Sequence, residues 1–320
     1  MTPSDRFHLI ARRQFHFQWG DQYEPAIRAT RQEAPRISRV TQLNSQKLGR
    51  TLHLISSPER ACAQLALYHP ALFELHEQRH LSPGPSCHPL HGHSLADGIR
   101  LPGTSGTVAI ASRLGLKRHP RVVVSVKNER RQVPYPYVGD LLLFLTDNLG
   151  KPYCVNWSIK SCLEDFKERR RASLKTIQQR LADKRKEQLR QDLESEYYSE
   201  MGIRTIQVAP ELFDQELLAN INLLYGWHSR KLNISEEVLL EFQSWMVRYL
   251  EEGRPLSELV AKFANRWGKR EAFLGKIYQD IWHRKLNVDL YRPIFIDKPQ
   301  RAARVDFVEQ HKSLFDEVSI

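Results

Sequence analysis

The stretch VGDLLLFLTDNLGKPYCVNWSIK, residues 138–160, constrains this chain more than any other. Its apolar run LLLFLT is short and is followed by Asp147, Asn148, Gly150 and Pro152, residue types that supply turn conformations. The second run, YCVNWSIK, is expected to return antiparallel, so the whole reads as strand–turn–strand. Asp140 opens the first strand, and Lys160 closes the second, two residues after Ser158. A hairpin of this kind brings the carboxylate and the ammonium to one point. That pairing suits a divalent metal and a water activated beside a phosphate.

A chain of 320 residues is long enough for two domains, each with its own core. The formal net charge of +11 points to a polyanionic partner, most simply nucleic acid, although a basic surface without such a partner carries the same charge. No apolar run reaches the roughly 20 residues needed to cross a bilayer. The opening MTPSDRFHLIARRQF also lacks the apolar segment of a signal peptide. The expectation is therefore a bacterial cytoplasmic or nucleoid protein with no membrane association. Cys62, Cys87, Cys154 and Cys162 show no paired spacing and are expected as reduced thiols.

Taken in order, residues 1–45 are polar and arginine-rich and read as a partly ordered arm, on DNA, on a partner or simply in solvent. A helix is expected from Ser57, with Pro58 at its first position and Glu59 in the first turn, where the dipole favours an anion. Residues 82–118 are rich in Gly, Pro and Ser and read as an insertion or mobile flap. Within them, Cys87, His88, His91 and His93 are metal-ligand types, but no second paired half accompanies them, which disfavours structural zinc. A strand is expected at Arg121–Lys127, ahead of the hairpin. Residues 161–202 form a long charged helical stretch with a sparse leucine stripe, and a further strand follows at Ile203–Pro210. Residues 46–210 thus make an α/β core, a mixed sheet with flanking helices.

A second domain is expected over 211–298, with helices near 211–226, 236–252, 256–267 and 270–284. The last two, joined at Gly268, resemble a helix-turn-helix, and LNVDLYRPIFID would supply the strands of a wing. A winged helix either reads DNA, here through Lys276, Gln279 and Arg284, or docks on protein. The basic run that includes Arg169, Arg170 and Arg171 either tracks a DNA backbone or is a solvated helix face. The tail 299–320 is polar and expected to be extended, its DFVEQHKSLFDEV segment folding on a partner.

Glu59, Asp140 and Lys160 together place two carboxylates and an amine around a sheet end. Hard divalent cations prefer carboxylate oxygens, carbonyls and water, so Glu59, Asp140 and the Ile159 carbonyl are candidate ligands of Mg²⁺, with Mn²⁺ as substitute. Lys160 would orient a water and offset charge on a phosphate.

The pieces at 49–78, 138–160 and 193–226 together resemble TnsA, the endonuclease subunit of heteromeric cut-and-paste transposases. The resemblance spans about residues 40–290 and keeps the motif order. It implies a restriction-endonuclease-like PD-(D/E)xK core followed by a C-terminal winged-helix-like domain. It also implies Mg²⁺-dependent cleavage of double-stranded DNA at the 5′ strands of transposon ends. A separate transposase subunit and an ATP-binding regulator would be its partners. Carried over, Glu59 matches the helix acid, Asp140 the strand acid and Lys160 the lysine. Ser158 stands where the family carries Gln or Glu, and is a shorter and poorer ligand. Two other readings stay open: a catalytically weak adaptor of the transposition complex, and a restriction or repair nuclease of the same fold. No Gly-rich phosphate loop or nucleophile elbow is present, so the chain is not expected to bind ATP or to act as a Ser/His hydrolase.

Overall fold

The computed structural model describes residues 1–116, 118–126, 129–167 and 176–317. It divides into two units. Unit 1 comprises Met1–Ala66, Pro70–Pro210 and Ser313–Ile320, and unit 2 comprises Leu67–His69 and Glu211–Lys312.

Unit 1 is mixed α/β. In chain order it holds α1 (Pro3–Gln14), β1 (Thr41–Ser45), β2 (Arg50–Leu54), α2 (Ser57–Tyr68), β3 (Leu72–Glu77), β4 (His80–Leu81) and α3 (Thr107–Arg113). β5 (Arg121–Val126), β6 (Glu129–Pro134), β7 (Tyr137–Val138), β8 (Leu141–Thr146) and β9 (Pro152–Ile159) follow. α4 (Glu164–Lys167), α5 (Ile177–Ser199) and β10 (Arg204–Val208) complete it. The main sheet has the order β10-β9-β8-β3. β8 runs antiparallel to both neighbours, with Leu141 opposite Trp157 on β9 and Glu77 on β3, while β10 runs parallel to β9. The central strands carry Leu141, Leu143, Leu145, Val155 and Trp157 without exposure, as the continuous apolar run of β8 requires.

Three expectations about unit 1 are corrected. The strand at 121–126 is not part of the main sheet but pairs with β6 in a separate hairpin. Its place beside β8 is taken by β3, whose Glu74, His76 and Glu77 are buried and so gave no apolar pattern. Arg50 makes that burial tolerable: Nη1 donates to both Glu77 oxygens at 3.0 and 2.9 Å, and the guanidinium lies over the Tyr23 ring. Residues 1–45 are not an arm. α1 starts with a capping box between Thr2 and Asp5, buries Ile10 and anchors Arg13 on Glu33 at 2.7 and 2.9 Å. One buried aliphatic residue, Ile10, and the buried polar side chains of Arg13 and Gln14 hold it, which a hydropathy pattern does not register. The segment 82–116 is likewise no loose flap. Leu90, Ala96, Ile110 and Ala111 share one core with Leu142, Phe144 and Tyr198, and His88 is buried with Nδ1 accepting from the Leu90 N–H.

Unit 2 is helical, with α6 (Gln215–Tyr225), α7 (Glu236–Glu251), α8 (Leu256–Trp267), α9 (Arg270–Trp282) and the short α10 (Phe307–Gln310). Phe242, Phe263 and Phe273 meet at its centre, with ring centroids 4.8–5.5 Å apart. α8 and α9 are joined at Gly268, whose φ of 78° needs glycine. The expected wing is absent: residues 286–297 contain no strand. Their carbonyls at Leu290 and Arg292 are taken by the Asn220 side-chain amide at 2.9 and 2.7 Å. The tail is not free either, since Phe307 and Phe315 are both buried. Among the described residues no helix is long and apolar enough to cross a membrane.

Candidate active site

One end of the main sheet gathers residues that are far apart in the chain. Just before β8, the Asp140 carbonyl accepts from the Gln78 N–H, past the end of β3, at 2.9 Å. The Asp140 side chain turns to β9, where Oδ2 accepts from the Ile159 N–H at 2.6 Å. Lys160 follows, and its own N–H donates to the Val208 carbonyl of β10 at 3.1 Å. The Lys160 ammonium pairs with Glu187 of α5 at 3.2 Å, and Glu187 is itself buried.

Glu59 reaches the same region from α2. The cap of that helix is Ser56, not the expected Ser57: the Glu59 N–H donates to Ser56 Oγ at 3.2 Å. In return the Ser56 hydroxyl and the Ile55 N–H donate to the Glu59 carboxylate at 2.8 and 3.0 Å. The Glu59 carboxylate thus folds back onto the residues that precede its helix, so part of what it does is cap that end. A third donor, the Gln78 amide, reaches Oε2 at 3.0 Å. Burial, then the negative charge of Asp140, push the Glu59 pKa up to about 7 against these hydrogen bonds. Burial also raises Asp140, opposed by the Ile159 N–H and by the charges of Lys160 and Arg190. Cys62, one turn along α2, is buried beside both acids, and its thiol is pushed up by burial and by their charges.

On β9, Asn156 and Ser158 alternate onto the side met by α5. The Asn156 amide donates to Glu194 Oε1 at 3.0 Å and to Thr205 Oγ1 at 3.3 Å, and the Ser158 hydroxyl donates to Glu194 Oε2 at 3.4 Å. Burial and then the charge of Asp140 raise Glu194 to about 7 as well. A cavity of about 190 Å³ opens here, with Ser158, Gln191, Glu194 and Gln207 in its walls. Asn156 is fully buried, and among the described residues its Oδ1 has no hydrogen-bond partner.

The structure therefore brings together Asp140, Ile159 and Lys160, with Glu59 close enough for the charge of Asp140 to act on it. Glu187, Glu194 and Gln78 were not legible as members of this group. The nearest signal for Glu194 was its place on the helix that carries Leu193 and Tyr197 in its buried stripe.

Among the described residues no group of three or more His, Cys, Asp or Glu is gathered closely enough to hold a metal ion. The donor chemistry nonetheless fits a hard divalent cation. Asp140 raises two other acids by repulsion, which a cation relieves, and the orphaned Asn156 oxygen adds an unused donor beside one of them.

The residues expected to read DNA lie elsewhere. Arg169, Arg170 and Arg171 fall outside the described residues. Lys276 is buried in α9, its ammonium donating to Asp280 at 2.7 Å and Gln243 at 3.0 Å. Gln279 donates to the Trp227 and Arg230 carbonyls at 3.1 and 2.7 Å. Arg284 pairs with Asp306 and lies over the Tyr68 ring. These three side chains are committed within unit 2. The reason is that α9 buries Ala272, Phe273, Gly275, Ile277 and Ile281, more than one stripe, and so packs as the inner helix of its unit.

Comparison of the chain with protein-family models and with curated proteins yields no match.

Proposed function

We propose that this protein is a metal-dependent DNA endonuclease with a restriction-endonuclease-like PD-(D/E)xK core in unit 1. On this reading it cleaves the 5′ strands at transposon ends beside a transposase subunit and an ATP-binding regulator. Unit 2 is then the winged-helix-like part, with a loop over 286–297 in the place of a wing. The observation that carries the reading is the bond from the Ile159 N–H to Asp140, which seats the strand acid beside Lys160 at the end of β9.

Asp140 and Glu59 would hold Mg²⁺ or Mn²⁺. When bound, the cation supplies a Lewis acid that polarises the scissile phosphodiester and makes a neighbouring water more acidic. Asp140 is oriented for this by the Ile159 N–H, and Glu59 by its three donors. The Lys160 ammonium, kept in place by Glu187, orients the water and offsets charge developing on the phosphate.

The test is cleavage of transposon-end DNA in the presence of the partner transposase, with wild type and Asp140→Ala compared in Mg²⁺ and in EDTA. Wild type with metal is expected to cut the 5′ strands. The variant should be slower by about 10²-fold or more, because metal assistance is worth several kcal/mol. The adaptor reading is favoured by Ser158 and by the closed Lys160–Glu187 pair. It takes over if strand transfer proceeds while the 5′ strands stay intact in every reaction.

A further inference from the structure

We propose that Glu194, borne on α5, supplies the metal-holding carboxylate that β9 lacks at Ser158. This rests on the nuclease reading above and names a residue that no spacing around the Asp140–Lys160 hairpin contains. Ser158 lies two residues before Lys160, on the side of β9 that faces α5, and its hydroxyl is too short to reach far beyond the strand. Instead it hands the position on: Oγ–H donates to Glu194 Oε2 at 3.4 Å, and Asn156, one pleat earlier, donates to Oε1 at 3.0 Å. Two neighbouring positions of one strand thus hold a carboxylate that comes from 36 residues downstream.

Three further observations bear on what that carboxylate is for. First, the charge of Asp140 acts on Glu194 as it acts on Glu59, so the helix acid belongs to the same electrostatic group. Secondly, among the described residues no Lys, Arg or His forms an ion pair with this half-buried acid, and the charges of Arg190 and Lys160 reach it only from beyond ion-pair distance. It accepts two hydrogen bonds, against three for Glu59, so more of the roughly four lone-pair sites of a carboxylate remain for a cation. Thirdly, the Asn156 amide that holds Glu194 has its own oxygen buried with no partner among the described residues. A carboxylate with lone-pair sites left over and an amide oxygen with no partner among the described residues, on two side chains joined by a hydrogen bond, are the donor types of a hard divalent cation. The plain alternative is a clamp between α5 and β9, and a glutamine at position 194 would serve that equally well.

The experiment is calorimetric titration of the full chain with Mn²⁺, without DNA, alongside metal-free melting. It compares wild type, Asp140→Ala, Glu194→Gln and the double variant Ser158→Glu/Glu194→Gln. Glu194→Gln should melt at or above the wild-type temperature without metal and bind Mn²⁺ at least about tenfold more weakly. The double variant, with the carboxylate returned to the strand, should regain most of that affinity. Wild-type affinity in Glu194→Gln, with binding lost in Asp140→Ala, overturns this proposal alone and leaves Glu194 as a clamp. So does a normally melting double variant that fails to regain binding. If wild type binds no Mn²⁺, or Asp140→Ala binds it unchanged, the metal-dependent reading itself falls.

Discussion

Glu200 and Glu194 lie two turns apart on one helix end and titrate in opposite directions, which shows how completely the surroundings decide what a carboxylate does. Glu194 has lost water and faces a like charge, and its pKa rises to about 7. Burial alone would raise Glu200, but hydrogen bonds from the Thr104 hydroxyl, the Ser105 N–H and hydroxyl, and Arg113 together outweigh it and bring it down to about 2. Its folded value lies below the ordinary 4.5, so its contribution to stability is fully present above that pH. The contribution is lost as pH falls from 4.5 towards 2. Glu200→Gln is therefore expected to lower the urea midpoint at pH 7, with the deficit shrinking steadily below pH 4.5. A deficit that did not change with pH would mean that the loop is held by shape and not by this charge. Neither acid was distinguishable from an ordinary helix glutamate in sequence, because the groups that set both values come from other segments.

Elements divide by where their determinants lie. β8 and β9 were legible because an unbroken apolar run, a turn-forming string and a second apolar run lie within one short segment. α2 was legible to within one residue, its cap being Ser56 and not Ser57. The segment 82–116 was misread because it is stitched together by single contacts. One of these is decisive. Gly106, which precedes α3, has φ of 88°, and a Cβ there would collide with the Gly84 carbonyl and lie 2.7 Å from the Pro83 oxygen. Gly106→Ala is expected to cost about 1–3 kcal/mol from backbone strain alone, and more if the Pro83–Gly84 turn must move. Chemical denaturation measures this, and an unchanged midpoint would show that the loop yields freely.

At the scale of the whole molecule, the chain leaves unit 1 after Pro210 and returns to it at Ser313. The returning segment covers Trp157 of β9: the indole N–H donates to the Leu314 carbonyl at 2.8 Å, and the Phe315 ring packs at 5.1 Å. Both rings are almost wholly buried. Phe315→Ala is expected to destabilise unit 1 by about 3–5 kcal/mol, the usual cost of removing a buried aromatic ring. Thermal melting checks it, and a change under about 1 kcal/mol would mean that the segment merely rests on the sheet. What the sequence determined alone was the set of features written in consecutive residues: the hairpin, the start of α2, the helices of unit 2 and the excess positive charge. Alternation, caps and turn chemistry act over a few residues and need no partner. Tertiary structure decided the rest. It placed β3 beside β8, folded α1 onto unit 1, turned Lys276 inward and set Glu194 against Ser158. Each of these depends on a charged or polar group finding a partner far away in the chain. Such a group reads as surface in sequence until the fold supplies the partner that makes its burial affordable.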